Sequence, residues 1–323
     1  MKRRNFLTSI ATITALSLGP SLPSFAQSPQ NFGLPNLPKE RFHSVKVGGI
    51  EIIALHDGAT RLPLNEKYVT NAPFAEVKKL ASDLGLSTDY VELPFTAYLI
   101  VSGSRRILLD TGLGDFGTPT ETTGKLVNSL SRAGYKPEDI DTVLISHFHP
   151  DHISGLRNRA GVFTYPNAKV WVSNKEYDYW MSEKNMQEAP ERKAAFEVVR
   201  RVFIGMPDSM LQKFEPGGEV TPDVFSHAAY GHTPGHTIYE VKSGQKSFYY
   251  IADMINVPAF FARNPEWMVA SDINPTAALS VRKQFLSTVA QSDALIGAFH
   301  FPFPGIGYLR QEEQGFKFEA VKQ

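Results

Sequence analysis

Ser146-His147-Phe148-His149-Pro150-Asp151-His152 decides how this chain is read. Three imidazoles and one carboxylate fall within six residues, directly after the apolar run Thr142-Val143-Leu144-Ile145. A short apolar run that ends in polar residues reads as a buried strand opening into a loop. Polar groups at such a place cost free energy unless they find partners. Three histidines cannot easily partner one another, and a metal ion removes the difficulty. Imidazole nitrogen suits zinc, and a carboxylate completes or bridges such a site.

Outward from this stretch, three more segments carry the same chemistry. Gly231-His232-Thr233-Pro234-Gly235-His236 lies between two apolar runs, Ile251-Ala252-Asp253 closes one, and Ala298-Phe299-His300 closes another. Each places a candidate ligand at a strand end, and loops at one edge of a rigid sheet are where sites are usually built. Two apolar runs about Gly48-Gly49 (residues 42–47 and 50–55) read as a hairpin, and residues 96–101 and 106–110 read as a second. Residues 60–94 carry Pro63, Pro73 and Pro94 and read as irregular, with a short helix near 75–84: a lid, or an arm for homodimer formation. Helical periodicity returns at 123–133, 175–181, 191–202 and 277–290. Strands are expected at 169–172, 224–230, 237–241, 247–251 and 294–299, and 307–321 reads as a final hairpin. Each half ends with helix then strand, which suits two sheets packed face to face with helices outside.

Composition narrows the function classes. With 33 basic and 33 acidic residues the formal charge is zero, and no long basic block follows the N-terminus, so nucleic acid is not an expected partner. Cysteine is absent, which excludes disulfides, thiolate ligands and cysteine nucleophiles together. Lys2-Arg3-Arg4 precedes a short apolar run that ends at Ser24-Phe25-Ala26. Residues 1–26 therefore read as an export signal, too short and interrupted for a membrane span. Arg3-Arg4-Asn5-Phe6-Leu7 resembles the twin-arginine type, which implies a periplasmic or secreted protein. Residues 27–39 read as a linker and 40–323 as the functional domain.

The His-rich segments, taken together, resemble the metallo-β-lactamase superfamily. His147 to His152 matches its HxHxDH signature, and the later Gly-His-Thr-Pro-Gly-His, Asp and His follow in the family's order across roughly residues 45–310. The resemblance implies an α/β fold, a four-layer αββα sandwich, with two Zn2+ per chain at one edge. It implies that His147, His149 and His232 bind one ion, that Asp151, His152 and His300 bind the other, and that Asp253 bridges them. Asp110 would orient a ligand from beneath the His loop, and His236 would order its own loop. Two such ions would share a water as hydroxide, the nucleophile; one zinc alone lowers a water pKa from about 15.7 to about 7. Asp151 is either a ligand only or also the group that passes a proton.

Within the family the chain resembles the methyl parathion hydrolase branch and its lactonase relatives. The carrying residues include Ala133-Gly134-Tyr135-Lys136-Pro137-Glu138, Tyr165-Pro166-Asn167-Ala168, Tyr179-Trp180 and His300-Phe301-Pro302-Phe303-Pro304-Gly305-Ile306-Gly307. The resemblance implies an aromatic mouth from Phe116, Trp180 and Phe196. The alternative for Trp180 and Phe196 is core packing. Asn256 stands where some lactonases carry a tyrosine, so no tyrosine-assisted step is implied. The expected activity is opening of lactones or cleavage of aryl and carboxyl esters, with side activity on organophosphate triesters. Two alternatives are a primary organophosphate triesterase and a mononuclear iron enzyme that oxidises sulfur. His43, His56 and His227 lie away from the ligand loops and read as structural or surface residues.

Overall fold

Gly48-Gly49 turns the chain between β1 (Phe42–Val47) and β2 (Ile50–Pro63), which pair in the antiparallel register their apolar runs predict. The computed structural model describes residues 31–118 and 121–322, so the expected signal segment lies outside the described residues. The expected linker is described from residue 31 onward and has almost no regular structure. It lies along the next hairpin: Phe32 O accepts from Arg61 Nη1 at 2.7 Å, and Asn36 N donates to Glu92 at 3.2 Å.

Residues 60–94 are more regular than the sequence suggests. β2 pairs with β3 (Tyr90–Ser102) as far as Pro63 opposite Tyr90, and α1 (Phe74–Asp83) fills the excursion between them. The prolines hid this. Pro63 ends its strand, and Pro94 sits beside the bulge between His56 and Gly58, where the ladder is already interrupted.

The chain then continues through β4 (Arg105–Leu109), α2 (Leu126–Arg132), β5 (Thr142–Leu144), α3 (Pro150–Ile153), β6 (Lys169–Ser173), α4 (Asn174–Met181), α5 (Glu183–Glu188), α6 (Lys193–Phe203) and β7 (Leu211–Phe214). The second half runs through β8 (Glu219–Thr221), β9 (Val224–Ala228), β10 (Thr237–Ser243), β11 (Lys246–Ala252), α7 (Pro258–Phe261), α8 (Pro275–Val289), β12 (Leu295–Ala298), β13 (Ile306–Gln311) and β14 (Phe316–Ala320). The strands form two seven-stranded sheets, ordered β1-β2-β3-β4-β5-β6-β7 and β14-β13-β12-β11-β10-β9-β8. Both are mixed, with parallel pairing from β4 to β7 and between β11 and β12. Helices flank them, giving the four-layer sandwich. The elements not expected from sequence, β7, β8, α3, α5 and α7, have six residues or fewer, too short to show a period.

Tyr98 links the two sheets, with its ring 5.6 Å from Phe248 and 5.3 Å from Tyr250. β5 is buried at every residue, as expected for a strand covered on both faces. Burying one such large apolar side chain contributes roughly 1.5–3 kcal/mol. Two buried hydroxyls also cross between the sheets: Tyr239 donates to Ile145 O at 2.8 Å and Tyr250 to Asp110 at 2.5 Å. These contacts fix the strand ends that carry the site. Among the described residues, no helix is long and apolar enough to cross a membrane.

Candidate metal centre

β5 delivers the His-rich stretch. The chain leaves the strand at Leu144, and Pro150 at the first position of α3 starts a single turn that carries Asp151 and His152. At the other strand ends the backbone turns sharply. Asp110 follows β4 with φ 59° and Ala252 ends β11 with φ 46°, both in the left-handed region that non-glycine residues rarely adopt. The second turn aims Asp253 at the cluster.

The structure brings all seven sequence-predicted ligand residues together. His147, His149, His232 and Asp253 form one group and Asp151, His152 and His300 another, with the ligand atoms in each group within 4.8 Å of one another. His149 Nδ1 lies 3.0 Å from His147 Nε2 and 2.9 Å from His232 Nε2. The Asp253 carboxylate touches both groups: Oδ2 is 3.3 Å from His232 Nε2 and 3.0 Å from His300 Nε2, and Oδ1 is 3.1 Å from His152 Nε2.

The partners of each imidazole show which nitrogen is aimed inward. His232 Nδ1 lies 2.9 Å from Asp272 Oδ1, His300 Nδ1 lies 2.9 Å from Pro94 O, and His152 Nδ1 lies 2.7 Å from Asp110 Oδ2. In each case the outer nitrogen donates and Nε2 keeps its lone pair for the centre. His236 differs: Nδ1 donates to Ala229 O and Nε2 accepts from Asp253 N, so both nitrogens are engaged. It braces the loop beside the cluster. Asp110 accepts from Ser146 N, Ser146 Oγ and Tyr250 as well as His152, which makes it the floor of the His stretch.

This donor set fits divalent metal ions. Imidazole nitrogens crowd within hydrogen-bond distance of one another, an arrangement that a cation at their centre accommodates. His152 Nε2 and Asp253 Oδ1 are buried and lack a hydrogen-bond partner although they are close, as expected of atoms aimed at a common third point. Burial, then the neighbouring imidazoles, holds His147 and His149 well below the usual histidine value. Burial also acts to lower His232, but Asp253 and Asp272 outweigh it and raise the group to about 9. Burial and neighbouring histidines lower His236 to about 3.

Two carboxylates that sequence reasoning missed complete the scaffold. Asp272 holds His232 from 40 residues downstream. Glu176, on α4, is buried and accepts from Phe148 N, Trp180 Nε1, Thr233 Oγ1 and Gly235 N at 2.7–2.9 Å. It ties the His stretch to the Gly-His-Thr-Pro-Gly-His loop. Gly235 is required there, because a Cβ would lie 2.2 Å from Glu176 N. Burial pushes the Glu176 carboxyl up, against the pull of its four donors. Its place one helical turn before Trp180 is the signal that could have marked it, whereas Asp272 has no local signature.

The expected aromatic mouth is not what the structure shows. Trp180 and Phe196 are 0% exposed and pack on each other at 4.6 Å, with Trp180 backing His149 at 6.1 Å. Both belong to the core, because α4 and α6 pack together and the indole N–H is held by Glu176. Phe116 lies beneath the Arg201 guanidinium and lines a different opening, one that none of the candidate ligands lines. An open cavity of about 600 Å³ instead adjoins His300, lined in part by Leu37, Leu86, Tyr90, Val257, Phe260 and Phe303. His43, His56 and His227 lie outside the cluster; His56 is buried against Arg41, and His227 contacts Glu240.

Residues 92–300 match the family described as the Metallo-beta-lactamase superfamily. The chain is 28% identical over 166 residues to an N-acyl homoserine lactonase of a Bacillus sp, covering 46% of this chain and 58% of that relative. It is 24% identical over 226 residues to the N-acyl homoserine lactonase of Bacillus thuringiensis, covering 64% and 80%. Among solved structures, AidC, a dizinc quorum-quenching lactonase in complex with a product, is similar with TM-score 0.79 and 28% identity, over 87% of this chain and 98% of that one. The hydrolase AbOPH in the beta lactamase superfamily is similar with TM-score 0.82 and 26% identity, over 89% and 99%.

Proposed function

The chain belongs to the metallo-β-lactamase superfamily, and on that premise we propose that it is a dizinc hydrolase that opens lactones of the N-acyl homoserine class. The observation that carries this reading is the convergence of two ligand groups on one shared carboxylate, Asp253. Relatives and structural neighbours described as lactonases support the substrate class. When bound, two divalent ions would supply an activated water and Lewis acidity at the scissile carbonyl.

The remaining work falls to the protein. His147, His149 and His232 would hold one ion, Asp151, His152 and His300 the other, and Asp253 both. Asp110 and Asp272 fix ring orientation by hydrogen bonds to the outer nitrogens. Asp151 is the most exposed of the ligand carboxylates, at 20% against 4% for Asp253, which supports a further role in passing a proton to the departing alkoxide. The cavity beside His300 has the size and apolar lining to take an acyl chain. Arg3-Arg4 supports export, so the reaction would take place outside the cytoplasm.

The test is a pH-stat assay of the zinc-loaded chain on N-acyl homoserine lactones of several acyl lengths, aryl esters and paraoxon-type triesters. Lactones are expected to give the highest kcat/KM. Faster turnover of triesters would reverse the substrate order, and inactivity on all three classes would overturn the hydrolase reading.

A further inference from the structure

Where the loop after α3 meets α6, arginines gather around an aromatic ring. Phe116, Arg157, Asn158, Arg159, Gly161 and Arg201 line an open cavity of about 310 Å³, and none of the six is acidic. The guanidinium carbon of Arg201 lies 3.3 Å from the Phe116 ring centroid, and that of Arg159 lies 4.8 Å from it. A guanidinium held on an aromatic face keeps its N–H donors for other partners.

The three arginines are not equivalent. Arg157 is committed to the frame: it donates to the carbonyls of Gly161, Arg201 and Ile204 and so closes the end of α6. Arg159 gives Nε to the Asp115 carbonyl, and its backbone N–H goes to the exposed Asp115 carboxylate. Arg201 has one weak contact, from Nη2 to Ser154 Oγ at 3.4 Å. Its Nη1 is buried and has no partner among the described residues. Leaving a buried charged donor unpaired is costly, and three like charges around one small cavity add to the cost. Burial, then Arg159 and Arg157, pulls Arg201 below its ordinary value. An oxyanion in the cavity would screen all three charges and accept from the guanidinium N–H groups that face it.

We propose that this cavity binds a small, multiply charged oxyanion of the phosphate class, gripped by Arg201 and Arg159 and framed by Arg157. The forked guanidinium suits tetrahedral oxyanions, which accept two parallel N–H bonds at once. None of the candidate metal ligands lines this cavity, so the proposal stands or falls independently of the hydrolase reading.

Calorimetric titration of the zinc-loaded chain with inorganic phosphate at low ionic strength tests it. Phosphate also has access to the metal ions, so the comparison is with Arg201→Met and Arg159→Ala carrying the same zinc content. Arg159 is exposed on a loop, and its variant is expected to fold even if Arg201→Met does not. Circular dichroism and thermal unfolding check both. Each substitution is expected to weaken phosphate binding about tenfold or more, the effect of losing one or two charge-assisted bonds. Equal affinity in wild type and variants would assign phosphate to the metal ions alone and overturn the proposal. Absence of saturable binding, or acetate binding as tightly as phosphate, would overturn it too.

Discussion

The first sheet contributes four candidate ligands from the six residues His147 to His152, whereas the second contributes three, each from a different strand end: His232 before β10, Asp253 after β11 and His300 after β12. Support differs in the same way. In the first half one buried carboxylate, Asp110, serves Ser146, His152 and Tyr250 together. In the second half His232 relies on Asp272, Asp253 on Asn256 and His300 on Pro94 O, each separately. A site assembled this way has a half in which errors spread and a half in which they stay local. Glu176 and Asp253 cross between the halves, as do the Tyr250–Asp110 and His300–Pro94 contacts.

The largest expected effect comes from removing a ligand in the shared stretch. His149→Ala and His152→Ala should each lose chiefly one zinc, measured by inductively coupled plasma mass spectrometry, and each should abolish lactone hydrolysis. Full activity in either variant would mean that the two ions are not divided as the groups suggest. Next comes the contrast between supports. Asp110→Asn should reduce zinc affinity on the order of 100-fold and destabilise the fold as well, whereas Asp272→Asn should cost about 10-fold in zinc affinity alone. Competition with a chelator and chemical denaturation separate the two outcomes; equal losses would erase the difference between the halves.

Glu176→Gln preserves size but removes acceptors from a fully used carboxylate. A fall of about 1–3 kcal/mol in unfolding free energy is expected, read as a lower denaturant midpoint at unchanged slope. An unchanged midpoint would show that the two loops hold their register without it. The smallest effect is Tyr250→Phe, which removes one of the bonds to Asp110 and should cost about 1 kcal/mol with both zincs retained. Loss of a zinc in this variant would make Tyr250 more than a brace.

Legibility in the sequence follows the same division. His147 to His152 announce themselves because a strand and one helical turn keep them adjacent. His232, Asp253 and His300 are readable because each follows or precedes an apolar run, which puts it at a sheet edge. Their supports are not readable in this way. Asp272 is 40 residues from His232, and Glu176 meets Phe148 and Gly235 only after both sheets have formed. The aromatic mouth misled for a related reason. Trp180 and Phe196 have the composition of a binding wall, but the helices that carry them turn both rings into the core. The hairpin over 50–102 was obscured by prolines that a bulge and a strand end accommodate.

Anomalous diffraction at the zinc edge, from crystals of the zinc-loaded chain, would locate the ions directly. Two peaks are expected, one among His147, His149 and His232 and one among Asp151, His152 and His300, with the Asp253 carboxylate in contact with both. A single peak, bound by residues of one group only, would contradict a two-ion centre joined by Asp253.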